Sequence, residues 1–60
     1  MTEREAIQRL DNLEEITYGD HEDSLSVAVC TLLIFLGDNG FKNIVEAYNR
    51  AEKRIGFYNI

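Results

Sequence analysis

Apolar residues recur along the first part of the chain at the spacing of an α-helix. Residues 2–16 place Ala6 and Leu10 on one apolar stripe, with charged side chains on the opposite face. Thr2 followed by Glu5 is the pattern of a capping box, in which each side chain accepts from the other residue's backbone N–H. We therefore predict an amphipathic helix over residues 2–16.

The next apolar run, residues 24–36, is compatible with either a strand or a helix. Its β-branched and aromatic residues favour a strand, but thirteen residues is a length more typical of a helix. A cluster of N-capping residues precedes the run, and Gly37 is suited to end a helix. We predict a helix that is apolar on nearly every side, interrupted only by Ser26 and Thr31. Two amphipathic neighbours cannot cover such a helix, so we expect the rest to lie against a second copy of the chain.

Residues 39–55 return to a helical pattern, and Gly56 is placed to end that helix before a short tail, 56–60. Six apolar residues fall on one side of it: Phe41, Ile44, Val45, Tyr48, Ala51 and Ile55. The "DNG" at 38–40 is also a hairpin signal, but the residues after it lack strand alternation, so we reject a hairpin. The prediction is one all-α domain over residues 1–60. A helical hairpin joins an N-terminal helix in a three-helix fold that homo-oligomerisation completes.

Chain length supports that expectation of assembly. Sixty residues are close to the lower limit for a domain that folds alone. One cysteine and one histidine provide neither an internal disulfide nor the ligand set of a structural metal, so no metal or cofactor is expected. Tight packing or self-association must supply the missing stability, and we favour self-association through residues 24–36.

Cysteine usage and hydropathy predict a cytoplasmic protein. A lone thiol suits a reducing compartment, and the N-terminus has charges of both signs with no apolar signal region. The longest apolar stretch is ten residues, about half of what a bilayer crossing requires. We expect no membrane partner.

Charge is distributed unevenly along the chain. The net charge of −5 argues against non-specific binding to nucleic acid. Residues 1–40 contain nine acidic and two basic residues, whereas residues 41–60 contain two acidic and four basic ones. Such asymmetry indicates interaction surfaces, with the C-terminal third suited to an anionic partner.

Candidate catalytic residues do not form a recognisable constellation, and we predict that the protein is not an enzyme. Cys30 lies in the most apolar segment, where burial would make its thiol inert, so we interpret it as a core residue. His21 is surrounded by carboxylates and could belong to a metal or acid–base site. The alternative, which we prefer, is an exposed loop whose acidic residues cap the following helix.

The C-terminal end holds the candidate binding residues. Arg50, Lys53 and Arg54 place three cationic heads on about one turn of helix, and Phe57 and Tyr58 follow at once. Guanidinium groups bind phosphate oxygens and aromatic rings stack on bases, so the five together suit a nucleotide. In the alternative interpretation the cations only complement the helix dipole, and the aromatic rings fold back on the core.

Two stretches, "YGDHED" and "LLIFLGDNGFKNIVEAYNRAEKRIGFYNI", carry a resemblance. A Gly-Asp turn, a Leu-Leu-x-Phe-Leu helix and Val-Glu-Ala-Tyr lead to a Lys/Arg-plus-aromatic end; the matching residues are 19–20, 32–36, 45–48 and 54–58. This pattern resembles very small, uncharacterised helical proteins of bacteriophages. The resemblance implies a phage accessory protein that acts in the host cytoplasm, and it implies no particular chemistry.

Three functional hypotheses remain open from the sequence. The first is a homo-oligomer that sequesters a small anionic ligand, such as a cyclic nucleotide used by the host as a defence signal. The second is an acidic inhibitor of a host enzyme or nucleic-acid-binding protein, which presents carboxylates as a phosphate decoy. The third is a small structural protein of the virion.

Overall fold

The computed structural model of the chain describes residues 1–57. Four α-helices form this part of the chain: α1 Glu3–Asp11, α2 Leu13–Thr17, α3 His21–Asp38 and α4 Lys42–Ile55. The predicted all-α fold is confirmed, since residues 1–57 contain no strand. A strand over residues 24–36 is excluded because α3 runs through all of them.

The N-terminus of α1 has the predicted capping box. Thr2 Oγ1 accepts from the Glu5 backbone N–H at 3.2 Å, and the Thr2 backbone N–H donates to Glu5 Oε1 at 3.0 Å. This backbone donor holds the pKa of the Glu5 carboxyl below its ordinary value. The box fixes where the first helix begins, one residue after the start predicted from the sequence.

The first helical segment is divided where a single helix was predicted over residues 2–16. Asn12 separates α1 from α2 with φ −107° and ψ 19°, and its N–H is shared between the carbonyls of Gln8 and Arg9. Asparagine is a weak helix former, and the shared hydrogen bond tightens the last turn of α1. The backbone therefore leaves helical geometry at Asn12 before α2 begins.

The turn between α2 and α3 contains an unusual backbone conformation. Tyr18 has φ 54° and ψ 31°, in the left-handed region that rarely holds a bulky residue, and Gly19 follows at φ 76°. Asp20 caps α3 by accepting from the Asp23 N–H at 2.9 Å, as the acidic loop predicted. Since the cap is Asp20, α3 begins at His21 and not at residue 24.

The opposite end of α3 also extends beyond the predicted stop at Gly37. The helix continues to Asp38, Asn39 Nδ2 donates to the Phe35 carbonyl at 2.8 Å, and Gly40 adopts φ 92°. The residue that needs glycine's freedom is therefore Gly40, three positions later. A short connection then leads to α4, which begins at residue 42 instead of 39.

The helices form a single layer. One side of α3 packs against α1 and α2, the other against α4, and neither α1 nor α2 contacts α4. The principal extents of 31 × 30 × 8 Å show that this layer is one helix thick. Three rods in a plane match the predicted three-helix domain, with α1 and α2 together as its first element. Within residues 1–57, no helix is long and apolar enough to cross a membrane.

Burial within the layer is small and unexpectedly polar. Among residues 1–57 only Ala6, Thr17 and Thr31 are buried, and Thr31 is 0 % exposed. From the sequence, Thr31 was expected to interrupt an apolar surface. In the structure its hydroxyl donates to the Val27 carbonyl at 2.7 Å, so its polar atom is satisfied within its own helix.

Thr17 joins the short helix α2 to α3. Its hydroxyl donates to the Leu13 carbonyl at 2.7 Å and lies 2.7 Å from Ser24 Oγ. A threonine hydroxyl has one proton, so Ser24 donates to Thr17 in this chain of hydrogen bonds. Helices α2 and α3 are thereby linked through a buried hydroxyl.

Candidate functional site

The three predicted cations lie together on α4. Arg50, Lys53 and Arg54 are all exposed, and their spacing places them within about one helical turn. At about 100° per residue this cationic face is opposite the apolar stripe that contains Tyr48. Because α4 packs only against α3, the cationic face forms the outer edge of the helical layer.

Local electrostatics leave the cationic face available to a ligand. Lys53 and Arg54 occupy the last turn of α4, where positive charge complements the helix dipole. Among the described residues, neither they nor Arg50 form an ion pair with a carboxylate. The helix dipole explains why basic residues occur at this end of α4. It does not occupy their side-chain N–H groups, which can still donate hydrogen bonds to a ligand.

Phe57 is placed differently from the cations. Gly56 ends α4 in the left-handed conformation, with φ 72°, as predicted, and turns the chain back along the helix. The Phe57 ring then lies 5.8 Å from the Tyr48 ring, centroid to centroid, at an interplanar angle of 47°. It therefore sits beside the apolar stripe. The other predicted aromatic residue, Tyr58, lies outside the described residues.

An acidic groove lies where α1 and α2 meet the start of α3. It has a volume of about 460 Å³ and is lined by Leu10, Asp11, Leu13, Glu14, Gly19, His21 and Ser24. His21 is exposed on the first turn of α3, which differs from its predicted place in a loop before the helix. The described residues contain no group of three or more His, Cys, Asp or Glu side chains that could hold a metal ion.

Cys30 is exposed, and its interpretation as a buried core residue is wrong for the single chain. Helix α3 has neighbours on only two sides, so a one-helix-thick layer leaves part of its apolar surface open. Cys30 does lie in an apolar stretch of the sequence, but no other described part of the chain packs over it.

Sequence reasoning missed a second concave feature, an apolar groove between α3 and α4. Its volume is about 270 Å³, and its lining residues are Val29, Leu32, Leu33, Leu36, Ile44 and Tyr48. The signal was present in the sequence, since Leu25, Val29, Leu32 and Leu36 follow the 4-3-4 spacing of a helix-packing seam. That seam is covered only partly by α4.

The geometry thus provides three surfaces: an edge of three cations, an acidic groove and an apolar groove. Known proteins do not indicate what these surfaces bind. Comparison of the chain with protein-family models, with curated proteins and with solved structures finds no match in any of the three.

Proposed function

We propose that the protein works by binding, and that it holds a small anionic, nucleotide-like ligand on the cationic face while assembled as a homo-oligomer. The observation that supports this function is the group of three exposed cations on one helix edge of a chain whose net charge is −5. No described carboxylate neutralises them through an ion pair. A phosphate-bearing ligand would do so.

The chemistry of the three side chains suits phosphate. Arg50 and Arg54 each offer a planar fork of donors that pairs with two phosphate oxygens, and Lys53 adds a compact charge beside them. The cationic face is an open helix surface, which can hold charge by contact but does not exclude water from a reacting bond. Capture without turnover is therefore the proposed mode of action.

The resemblance to phage accessory proteins suggests a biological setting for such capture. A cyclic nucleotide that a host uses as a defence signal carries phosphodiester charges and bases. Sequestering it at the cationic face would lower its free concentration without cleaving it. This anti-defence role is a proposal that depends on ligand binding being found first.

Replacing Arg54 with alanine is expected to weaken binding of a cyclic di- or trinucleotide by about tenfold or more, because one charge-assisted contact to phosphate is lost. Isothermal titration calorimetry with a panel of these nucleotides measures the effect. The matched control is Lys42→Ala, which removes the same charge from the same helix about 18 Å away. Affinity in the control should remain within about twofold of the unsubstituted protein.

Two results would contradict the proposal. One is the absence of heat with every nucleotide tested. The other is equal weakening by Arg54→Ala and Lys42→Ala, which would indicate diffuse charge attraction instead of a site. The titration also gives the number of ligands per chain, and so shows whether neighbouring copies share one ligand.

A second candidate function, inhibition of a host protein, is favoured by the acidic groove and its neighbour Tyr18. This side chain is 96 % exposed and precedes Gly19, which lines the groove. Tyrosine is frequent among the residues that dominate protein interfaces, and Asp11 and Glu14 contribute carboxylates to the lining of the groove. A basic segment of a partner would find both an aromatic anchor and opposite charge.

Replacing Tyr18 with glycine separates stability from partner binding. The free energy of unfolding is expected to stay unchanged or to rise by up to about 1 kcal/mol, because glycine tolerates positive φ. If the inhibitor function is correct, this equally stable variant should lose the host protein that the original chain retains in an affinity capture. Urea unfolding and capture test the two parts, with Ile16→Gly as the control for a glycine placed within α2. Capture that survives the substitution would rule out Tyr18 as the anchor.

A further inference from the structure

The single chain exposes more surface than a folded protein of its mass should. Its accessible surface is 4872 Å², whereas the scaling for monomers of 6.9 kDa gives about 4,000 Å². The excess of roughly 900 Å² is close to the roughly 800 Å² that each partner loses in a standard protein interface. The excess accessible surface of the isolated chain is therefore about equal to the area that one partner loses in a single interface.

Compactness and burial lead to the same conclusion. The radius of gyration is 12.3 Å, against about 10 Å for a compact domain of this length. Hydrophobic residues make up 45 % of the chain, yet Ala6 is the only hydrophobic residue buried within residues 1–57. A large part of the apolar surface that would have to drive folding remains in contact with water.

Part of the uncovered apolar surface lies on the two helices that form the apolar groove. Leu25 and Leu32 are seven residues apart on α3, so they share one face, and Leu32 lines the groove. Ile44 and Ile55 are eleven residues apart on α4 and share a second stripe, and Ile44 also lines the groove. All four side chains are more than 40 % exposed.

We propose that a second copy of this chain covers the apolar groove between α3 and α4, in a two-fold dimer whose buried seam contains Leu25, Leu32 and Ile44 of both copies. The excess accessible surface favours a second copy as the occupant, because a partner of equal size would cover about that much area on each chain. The chemistry is self-compatible as well. Residues 24–37 of α3 carry no charged side chain, so two such faces approach without like-charge repulsion.

Pairing through this face does not need the ligand proposed above. The cationic face lies on the outer edge of α4, away from α3, and stays exposed when the face of the layer is covered. Dimerisation and ligand binding are thus separate properties. A failure of ligand binding would leave the dimer intact, whereas a monomeric chain would overturn the homo-oligomer part of the proposed function and leave the cationic face to be tested alone. The two experiments have different readouts.

Sedimentation equilibrium of the full chain tests the dimer, over concentrations from about 1 to about 100 µM. Leu32→Glu is expected to weaken self-association by about 100-fold or more, because it buries a charge at the centre of the seam. Ile7→Glu is the matched control: Ile7 on α1 and Leu32 are both 48 % exposed. The control should retain the dimer, and circular dichroism should show that both variants are helical.

A second variant protects the test against a folding defect. Ile44→Glu introduces the same charge from α4, at a position that is 58 % exposed in the single chain, and should also produce monomers. If the Leu32→Glu variant is unfolded, the self-association of the Ile44→Glu variant tests the proposal instead. The proposal is overturned if the unsubstituted chain is monomeric at every concentration. It is also overturned if neither folded groove variant dissociates, or if Ile7→Glu dissociates the dimer as fully as they do.

Discussion

Substitution of Thr31 by aspartate is expected to unfold the protein. Thr31 is 0 % exposed and lies midway along α3, the helix against which every other element packs. A carboxylate there would lose its hydration without gaining a charged partner, at a cost of roughly 3–5 kcal/mol. Since a small domain has only about 5 kcal/mol of stability to lose, the folded population should largely disappear at neutral pH.

The control for this effect is Thr31→Val, which keeps the shape of the side chain and removes only the hydroxyl. That hydroxyl bonds to Val27 within the same helix, so its loss should change the free energy of unfolding by about 1 kcal/mol or less. Helical ellipticity and urea unfolding measure both variants. A cooperative, native-like unfolding curve for Thr31→Asp at pH 7 would show that the site is not enclosed.

Substitution of Thr17 by valine is expected to have the second-largest effect, a loss of roughly 1–3 kcal/mol of unfolding free energy. The change removes the acceptor of Ser24 and the donor to Leu13 at one time. The lost Thr17–Ser24 hydrogen bond is the only side-chain hydrogen bond that joins α2 to α3 among the described residues. The lower end of this range applies if water reaches Ser24, which is only half-buried.

A double-mutant cycle with Ser24→Ala isolates that link. When Thr17 is already valine, removing the Ser24 hydroxyl should cost little, because no unpaired partner is left behind. The cycle should give a coupling of about 0.5 kcal/mol or more between the two sites in urea unfolding. Strictly additive losses would mean that the two hydroxyls do not interact in solution.

Local features of the fold were predictable from the sequence because local chemistry determines them. The capping box at Thr2 and Glu5 and the left-handed end at Gly56 each depend on residues within one turn of each other. The cationic face was predictable for the same reason, since helical spacing alone brings Arg50 and Arg54 together.

Features that depend on a distant element were not predictable. Thr31 is the most enclosed residue and Cys30, beside it in sequence, is exposed, yet both lie in the same apolar run. The packing of the other helices determines which side of α3 is buried. Because α3 is apolar on nearly every side, the periodicity of its sequence does not predict the buried side. The direction of Phe57 depended similarly on a backbone reversal at Gly56, after which its ring meets Tyr48.

Attachment of α4 through a single neighbour also has a consequence for the dynamics of the chain. A helix held by one seam can detach while α1, α2 and α3 keep their mutual contacts, so we expect α4 to have the lowest free energy of local opening. Its amide protons would then exchange with solvent before those of α3. A ligand held by Arg50 and Arg54 would bind the closed helix in preference to the open one, and would slow that exchange in proportion to its occupancy.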